Sequence, residues 1–354
     1  MTARFERLEA KMQAEGLEAL LVTNQNNVYY LTGFWGTFGA VLLTGKRRIL
    51  LTDSRYIILA KSKAKDFEVI AVTSGLAASL KMVLEKEKIG QLAVEDDMSL
   101  ASFRGYQESL APVSLKVLSA FVEELRLIKD PEEIEAIQKA CQISDQAFID
   151  ALDFIQPGKT DQQVANFLEY RMKELGGQGA SFDIIAVSGQ RSAMPHGTPS
   201  DKVIEAGDAL TVDFGTFYNH YVSDLTRTVF VGHVTDQQAE VYQTVLKANQ
   251  TLIGAAKAGL EYRDYDAIAR SVIDQAGYGS YFTHSIGHGI GLDIHENPFF
   301  RKGDRRLLQP GMVVTDEPGI YLEGQFGVRI EDDLLIRVEG CQVLTQAPKE
   351  LIIL

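Results

Sequence analysis

Two long stretches of this chain follow one plan, and that repetition limits its fold more than any other feature. The first opens with a helix expected over residues 131–155. Asp130 is a good N-cap, Pro131 suits the first helical position, and Glu132 and Glu133 supply an acidic first turn. Apolar residues recur at helical spacing at Ile134, Ile137, Cys141, Phe148, Leu152 and Ile155, and Pro157-Gly158 ends the run. A second helix is expected from TDQQVANFLEYRMKELGG, followed by strands punctuated with glycine. The second stretch repeats the order with TDQQAEVYQTVLKANQTLIGAAKAG, a glycine turn, YRDYDAIARSVIDQAG and more glycine-punctuated strands. Gly158 and Gly259 lie 101 residues apart, and each stretch delivers a histidine before its last strands, His196 and His295. Either two αα-hairpins are alike by chance, or an αβ half has been duplicated with a site between the copies.

Ahead of this lies a smaller region of different character. A helix is expected over 4–16, ending at Gly16, with strands at LEALLVT, GAVLLTG, RRILLTD and QLAVED and a helix at LAASLKMVLEKEK. That alternation reads as a small α/β domain. The division expected is an N-terminal α/β domain over 1–121, a linker over 122–130 and a second domain over 131–354, an α+β chain overall.

The bulk numbers narrow the function. Among 354 residues, 48 are acidic and 35 basic, for a net charge of -13. Such a surface repels phosphate backbones, which argues against nucleic acid as a partner. Two distant cysteines, Cys141 and Cys341, cannot staple a chain of this length, so a reducing, cytoplasmic setting fits. The N-terminus mixes charges with apolar residues unlike a signal peptide, and no apolar run is long enough to span a bilayer.

Two pairs of acids stand out. In TVDFGTFYNHYVSDLTRT, Asp213 and Asp224 are eleven residues apart. Gly215, Asn219 and the β-branched and aromatic content favour a hairpin over a helix. A two-residue turn at Tyr218-Asn219 sets the two carboxylates directly opposite each other, with Cβ atoms roughly 5 Å apart. Facing like charges destabilise a ladder, so a cation is expected between them. In GMVVTDEPGIYLEGQFGVRIEDDLLI, a second hairpin centred on Gly324 makes Glu317 and Glu331 cross-strand partners. Alternation places Arg329, Glu331 and Asp333 on one face and Val328, Ile330 and Leu334 on the other, which leaves Asp332 with the apolar set. Solvated acids at exposed hairpins are the plain alternative for both pairs.

Four of the six histidines fall in glycine-rich motifs: His196 in SAMPHGTPS, and His284, His288 and His295 in THSIGHGIGLDIHENP. Gly287 and Gly289 flank His288 and let the backbone approach an ion closely. HENPF is not the HExxH of zinc proteases, because Phe299 stands at the second histidine's place and Pro298 breaks the helix. Two aspartates, two glutamates and one histidine suit hard or borderline ions such as Mn²⁺. Four carboxylates balance two divalent ions, and a bridging hydroxide made at neutral pH is then the expected nucleophile.

In order and context, Asp213, Asp224, His288, Glu317 and Glu331 resemble the ligands of the pita-bread metallopeptidases, peptidase family M24. VDFG, SDLTRT, GHGIGLDIHE, EPGIY and GVRIEDD carry the likeness, and AMPHG and DSRY are similar to the proline-specific Xaa-Pro aminopeptidase and Xaa-Pro dipeptidase members. The resemblance implies a pita-bread catalytic domain behind a creatinase-like N-terminal domain, and two ions, Mn²⁺ first with Co²⁺ or Zn²⁺ as alternatives. It implies that Asp213 chelates one ion, His288 and Glu317 hold the other, and Asp224 and Glu331 bridge both. His196 and His295 are expected to contact substrate, and Arg329 to orient Glu331. It further implies a homodimer acting on peptides with proline in second position. Departures are Asp316, where relatives carry an apolar residue, and Phe299, where dipeptidases usually carry an arginine for the substrate carboxylate; Arg301, Arg305 and Arg306 follow. Phe299 tilts the expectation toward the aminopeptidase, with the dipeptidase as alternative and a non-catalytic peptide-binding protein as a remote third.

Overall fold

The computed structural model of the chain describes residues 2–354. It divides into two compact units, one ending at Arg126 and the other beginning at Leu127. The division falls inside the segment expected to be a linker. That segment is not a free tether, because Glu123–Arg126 is helical. Arg126 is buried and donates from Nη1 to Asn27 Oδ1.

The N-terminal unit is built on a six-stranded mixed sheet. Its strands, from edge to edge, are Glu68–Ala71, Arg48–Thr52, Ala40–Thr44, Ala19–Val22, Gln91–Glu95 and Ser114–Leu118. Every residue of the central Ala19–Val22 is buried, which is why the strand reads as an unbroken apolar run. Leu80 and Leu84 of the helix Leu76–Glu87 pack with Leu21, Leu42, Leu51 and Val94. The two edge strands escaped the sequence reading, because EVIA and SLKVL carry charged, partly exposed positions that blur the pattern.

The C-terminal unit is duplicated in its hydrogen bonds as well as its outline. Pro131–Phe154 and Asp236–Ala255 both start at a capping box, Asp130 with Glu133 and Thr235 with Gln238. The second helices, Asp161–Glu174 and Tyr262–Gln275, each have 14 residues. Gly158 and Gly259 turn the chain with φ of 92° and 85°. Gly158 N donates to Ile204 O and Gly259 N to Leu308 O; Asp161 N donates to Lys202 O and Tyr262 N to Arg306 O. An isolated antiparallel bridge follows in each half, Thr160 with Val203 and Glu261 with Leu307. Chance likeness between helical hairpins does not reproduce bonds made outside the helices, so the duplicated reading holds.

Each half gathers a core behind its own strands, and the cores interlock, the second taking in Ala209 and Phe230 and the first Ala347. One gathers Phe148, Leu168, Met172, Val212 and Phe214; the other Val245, Tyr265, Ile273, Val314 and Leu334. The first half carries a sheet of Leu225–Phe230, Ala209–Phe214 and Ile185–Ser188. The second carries Glu296–Phe299, His288–Gly289, Val313–Asp316, Asp332–Ile336 and Cys341–Val343. The last residues lie beside Phe230, whose N donates to Ile352 O and whose O accepts from Leu354 N. Among the described residues, no helix is long and apolar enough to cross a membrane.

Candidate metal centre

The first acid pair converges by a different register from the one expected. Asp213 pairs with Thr226, not Asp224, in the ladder between Ala209–Phe214 and Leu225–Phe230. The turn is Asn219-His220, with φ of 48° and 66°, and Tyr218 pairs with Tyr221. Two successive left-handed residues make the hairpin turn that matches strand twist, and Asn tolerates that region. Moving the turn by one residue moves each partner by two, which preserves the face. Asp224 therefore becomes the diagonal neighbour of Asp213 instead of its opposite. At Gly215 the strands approach so closely that a Cβ would sit 1.8 Å from Ser223 O.

The second pair keeps the expected register. Thr315 pairs with Asp333 and Asp316 with Asp332; beyond a break, Gly319 pairs with Arg329 and Leu322 with Phe326, around Gly324 at φ 72°. Continuing that register through the break sets Glu317 level with Glu331. Asp213, Asp224 and Glu331 each present a carboxylate oxygen within 4.8 Å of the others. His288 Nε2 lies 3.7 Å from Asp224 Oδ2 and 3.6 Å from Glu317 Oε1. Its Nδ1 donates to Gly289 O at 3.2 Å, which leaves the Nε2 lone pair toward the acids. Glycine at 289 is a packing requirement, since a Cβ there would meet Asn297 O at 2.3 Å. All five expected ligands line one cavity of about 1020 Å³, together with His196, His284, His295 and Arg329.

The donor set fits divalent cations. Asp213 Oδ1 is buried without a hydrogen-bond partner among the described residues. Burial, then Glu331 and Asp213, raise Asp224 well above the usual carboxylate range. Burial, then Glu317 and Asp213, do the same to Glu331, and burial raises Glu317 to about 7. Burial lowers His288 to about 4, with His295 adding to the effect, so its imidazole is neutral near pH 7. Four crowded acids beside a neutral imidazole share one guanidinium, that of Arg329, a deficit of positive charge that divalent ions would fill.

Arg329 acts on a different acid from the one expected. Its Nη2 donates to Asp213 Oδ2 at 2.6 Å and its Nη1 to Tyr321 OH at 2.8 Å. It reaches Glu331 only through Thr226: Nε donates to Thr226 Oγ1 at 3.0 Å, and that hydroxyl donates to Glu331 Oε2 at 2.6 Å. Arg329 and Glu331 share a strand face, but the guanidinium extends beyond its own two-stranded sheet and meets Asp213 on Ala209–Phe214 of the other half. Thr226 and Tyr321 were missed by the sequence reading, although Thr226 alternates onto the Asp224 face within SDLTRT. His284, left without a role, bonds Tyr321 OH through Nε2 at 2.8 Å. His196 and His295 are exposed at the cavity, and the His295 and His288 rings lie 4.3 Å apart.

The departures resolve as follows. Asp316 is fully buried behind the site, where Oδ2 accepts from Asn249 Nδ2 at 3.2 Å. Phe299 lines the cavity, with the Arg301 guanidinium 5.9 Å from its ring. Arg306 is bound to Asp304. Among the described residues, Arg329 is the one arginine or lysine lining the cavity, and Asp213 and Tyr321 already hold it.

A duplicated αβ unit with four acids and a histidine at its seam, following a creatinase-type α/β domain in sequence, defines a pita-bread metallopeptidase architecture. Residues 135–337 match the model of metallopeptidase family M24, and residues 4–128 that of the creatinase/prolidase N-terminal domain. The chain belongs to metallopeptidase family M24. It is similar to a Xaa-Pro dipeptidase from Bacillus anthracis, with a TM-score of 0.97 and 43% identity over 100% of this chain and 99% of that one. It is 38% identical to the Xaa-Pro dipeptidase of Pyrococcus furiosus over 99% of this chain and 100% of the relative. A Thermotoga maritima X-Pro aminopeptidase superposes with a TM-score of 0.92 at 39% identity, over 98% and 100% of the two chains.

Proposed function

We propose that this chain is a dinuclear metallopeptidase that hydrolyses the Xaa-Pro bond of dipeptides. The convergence of Asp213, Asp224, His288, Glu317 and Glu331 in one cavity carries the metallopeptidase part. The dipeptidase names of two extensive relatives favour dipeptides over the longer peptides expected from sequence. Asp213 would hold one ion, His288 and Glu317 the other, and Asp224 and Glu331 both; Mn²⁺ suits this set best. When bound, the ions supply Lewis acidity and an activated water. The chain's own groups do the rest. Arg329 fixes the rotamer of Asp213, and Thr226 fixes that of Glu331. Burial and the neighbouring His196 lower the affinity of His295 for protons, so a neutral imidazole faces the carbonyl as a hydrogen-bond donor. His196 stands beside it to receive charge developing on the substrate. A reducing cytoplasm and a homodimer complete the reading.

The aminopeptidase reading keeps support from Phe299, which lines the cavity where a carboxylate-gripping arginine is expected, and from a volume of about 1020 Å³. Incubating the Mn²⁺-loaded protein with Ala-Pro and Arg-Pro-Pro separates the two. Cleavage of Ala-Pro alone is expected; release of arginine from the tripeptide at a comparable kcat/KM returns the aminopeptidase. Inertness toward both, with metal bound, removes the peptidase reading.

A further inference from the structure

Behind the ligand strands lies a charged knot that the proposed reaction does not use. Arg227 is 1% exposed, so its guanidinium depends on protein acceptors. Strand alternation turns Thr226 toward the cavity and Arg227 to the other side. All five N–H groups of Arg227 are used. Nη1 donates to the carbonyl oxygens of Thr226 and Glu331. Nη2 donates to Asp332 Oδ1 and Ala347 O, both at 2.8 Å, and Nε to Pro348 O at 3.1 Å. Asp332 also accepts from Lys349 Nζ at 2.6 Å, Thr345 Oγ1 at 2.9 Å and Asn249 Nδ2 at 3.0 Å.

Nη1 is the decisive atom, because it joins a residue from each half of the duplicated unit. The same two residues meet again on the cavity side, where Thr226 Oγ1 donates to Glu331 Oε2. Between these contacts, Glu331 N donates to Thr226 O at 3.0 Å. Asp224 lies two residues before Thr226, so the bonds that fix Thr226 against Glu331 also fix the two acids read as bridging.

We propose that Arg227 is a positioning residue for the metal centre: it clasps Thr226 and Glu331 from behind, braced by Asp332 and residues 345–349, and so sets the separation of Glu331 from Asp224. The proposal rests on the dinuclear reading. A lysine keeps the charge beside Asp332 but lacks the planar fork that joins two carbonyls. Arg227→Lys therefore separates a role in geometry from one in charge balance.

The test is Mn²⁺ titration of the chelator-stripped full chain, by calorimetry and electron paramagnetic resonance, with near-ultraviolet circular dichroism as a check of folding. The unaltered chain should take two ions and show an exchange-coupled spectrum. In Arg227→Lys, the second ion should bind about 10- to 100-fold more weakly, as is typical when a ligand's supporting partner is lost. The coupled spectrum should give way to the six-line signal of isolated ions, and kcat should fall while KM holds. Asp332→Asn preserves shape, removes the brace's charge and should move the same readouts less. Two ions bound with unchanged affinity and coupling in either folded variant overturns the clasp alone. If both variants are unfolded where the parent is folded, Arg227 is a scaffold residue and the proposal fails. A parent chain that binds one ion or none removes the dinuclear reading, and the clasp with it.

Discussion

Glu331 and Asp332 are consecutive and both are buried, yet they belong to opposite electrostatic regions. In front, Glu331 stands with Asp213, Asp224 and Glu317 around a cavity, and burial and its acidic neighbours raise its proton affinity. Behind, burial pushes Asp332 the same way, but Arg227 and then Lys349 outweigh it and hold the group at about 2. Burial is common to both, so it does not decide the charge state. The supply of positive charge does. The protein sets Arg227 and Lys349 against Asp332, whereas the four front acids share Arg329, which leaves most of their charge to be balanced from outside.

The largest effect should follow from removing a front acid. Asp224→Ala should lower kcat/KM by about a thousandfold or more, since several kcal/mol of charge stabilisation depend on the ions. The measurement is Xaa-Pro hydrolysis beside a Mn²⁺ titration, and near-normal turnover would erase the distinction between front and back. Next is the rear partner. Asp332→Ala strands the Arg227 charge in the interior and should cost about 3–5 kcal/mol of folding stability, read by denaturant unfolding. A milder loss would show that carbonyls alone satisfy Arg227.

Chelation and pH sharpen the contrast further. Glu317 is raised from its ordinary range to about 7. A raised acid favours folding below its unfolded pKa and loses that contribution as pH climbs through its folded one, so Glu317 should weaken the stripped protein between about pH 4.5 and 7, by a few kcal/mol at most, with Asp224 and Glu331 acting in the same direction. Added Mn²⁺ should reverse the trend, because ions bind the deprotonated acids. Thermal melts at pH 5.5 and 8, with and without Mn²⁺, check the sign. Asp332 should be silent in that window. The smallest effect belongs to Asp316→Asn, opposite Asp332 in the rear ladder. Its change in stability should stay within about 1 kcal/mol, and its Mn²⁺ affinity should match the parent's.

These regions differ in how plainly they were written in the sequence. The meeting of the five front residues in one cavity and the duplicated plan could be read because clustered acids and glycine turns leave local marks. The turn at Asn219-His220 was placed one residue early, since no Asn-Gly pair announces it; alternation forgave the error by keeping Asp224 on the right face. Arg329's grip on Asp213 could not be read, because it spans 116 positions and joins two separate sheets, one from each half. The rear knot was equally hidden. Alternation left Asp332 with the apolar set, but nothing local announces its partners Arg227 and Lys349, which lie 105 and 17 residues away. Edge strands such as Ser114–Leu118 escaped because exposure dilutes their pattern.

The seam between the two cores has a consequence for the protein's life in a cell. Each half contributes acids to the same proposed ions, so those ions would add to the bonds that already join the halves, such as those of Arg227 and Thr226 with Glu331. Metal shortage is then a mechanical event as well as a catalytic one. On the dinuclear reading, a metal-starved molecule should be looser along its midline and cut faster there by a protease than the Mn²⁺-loaded one.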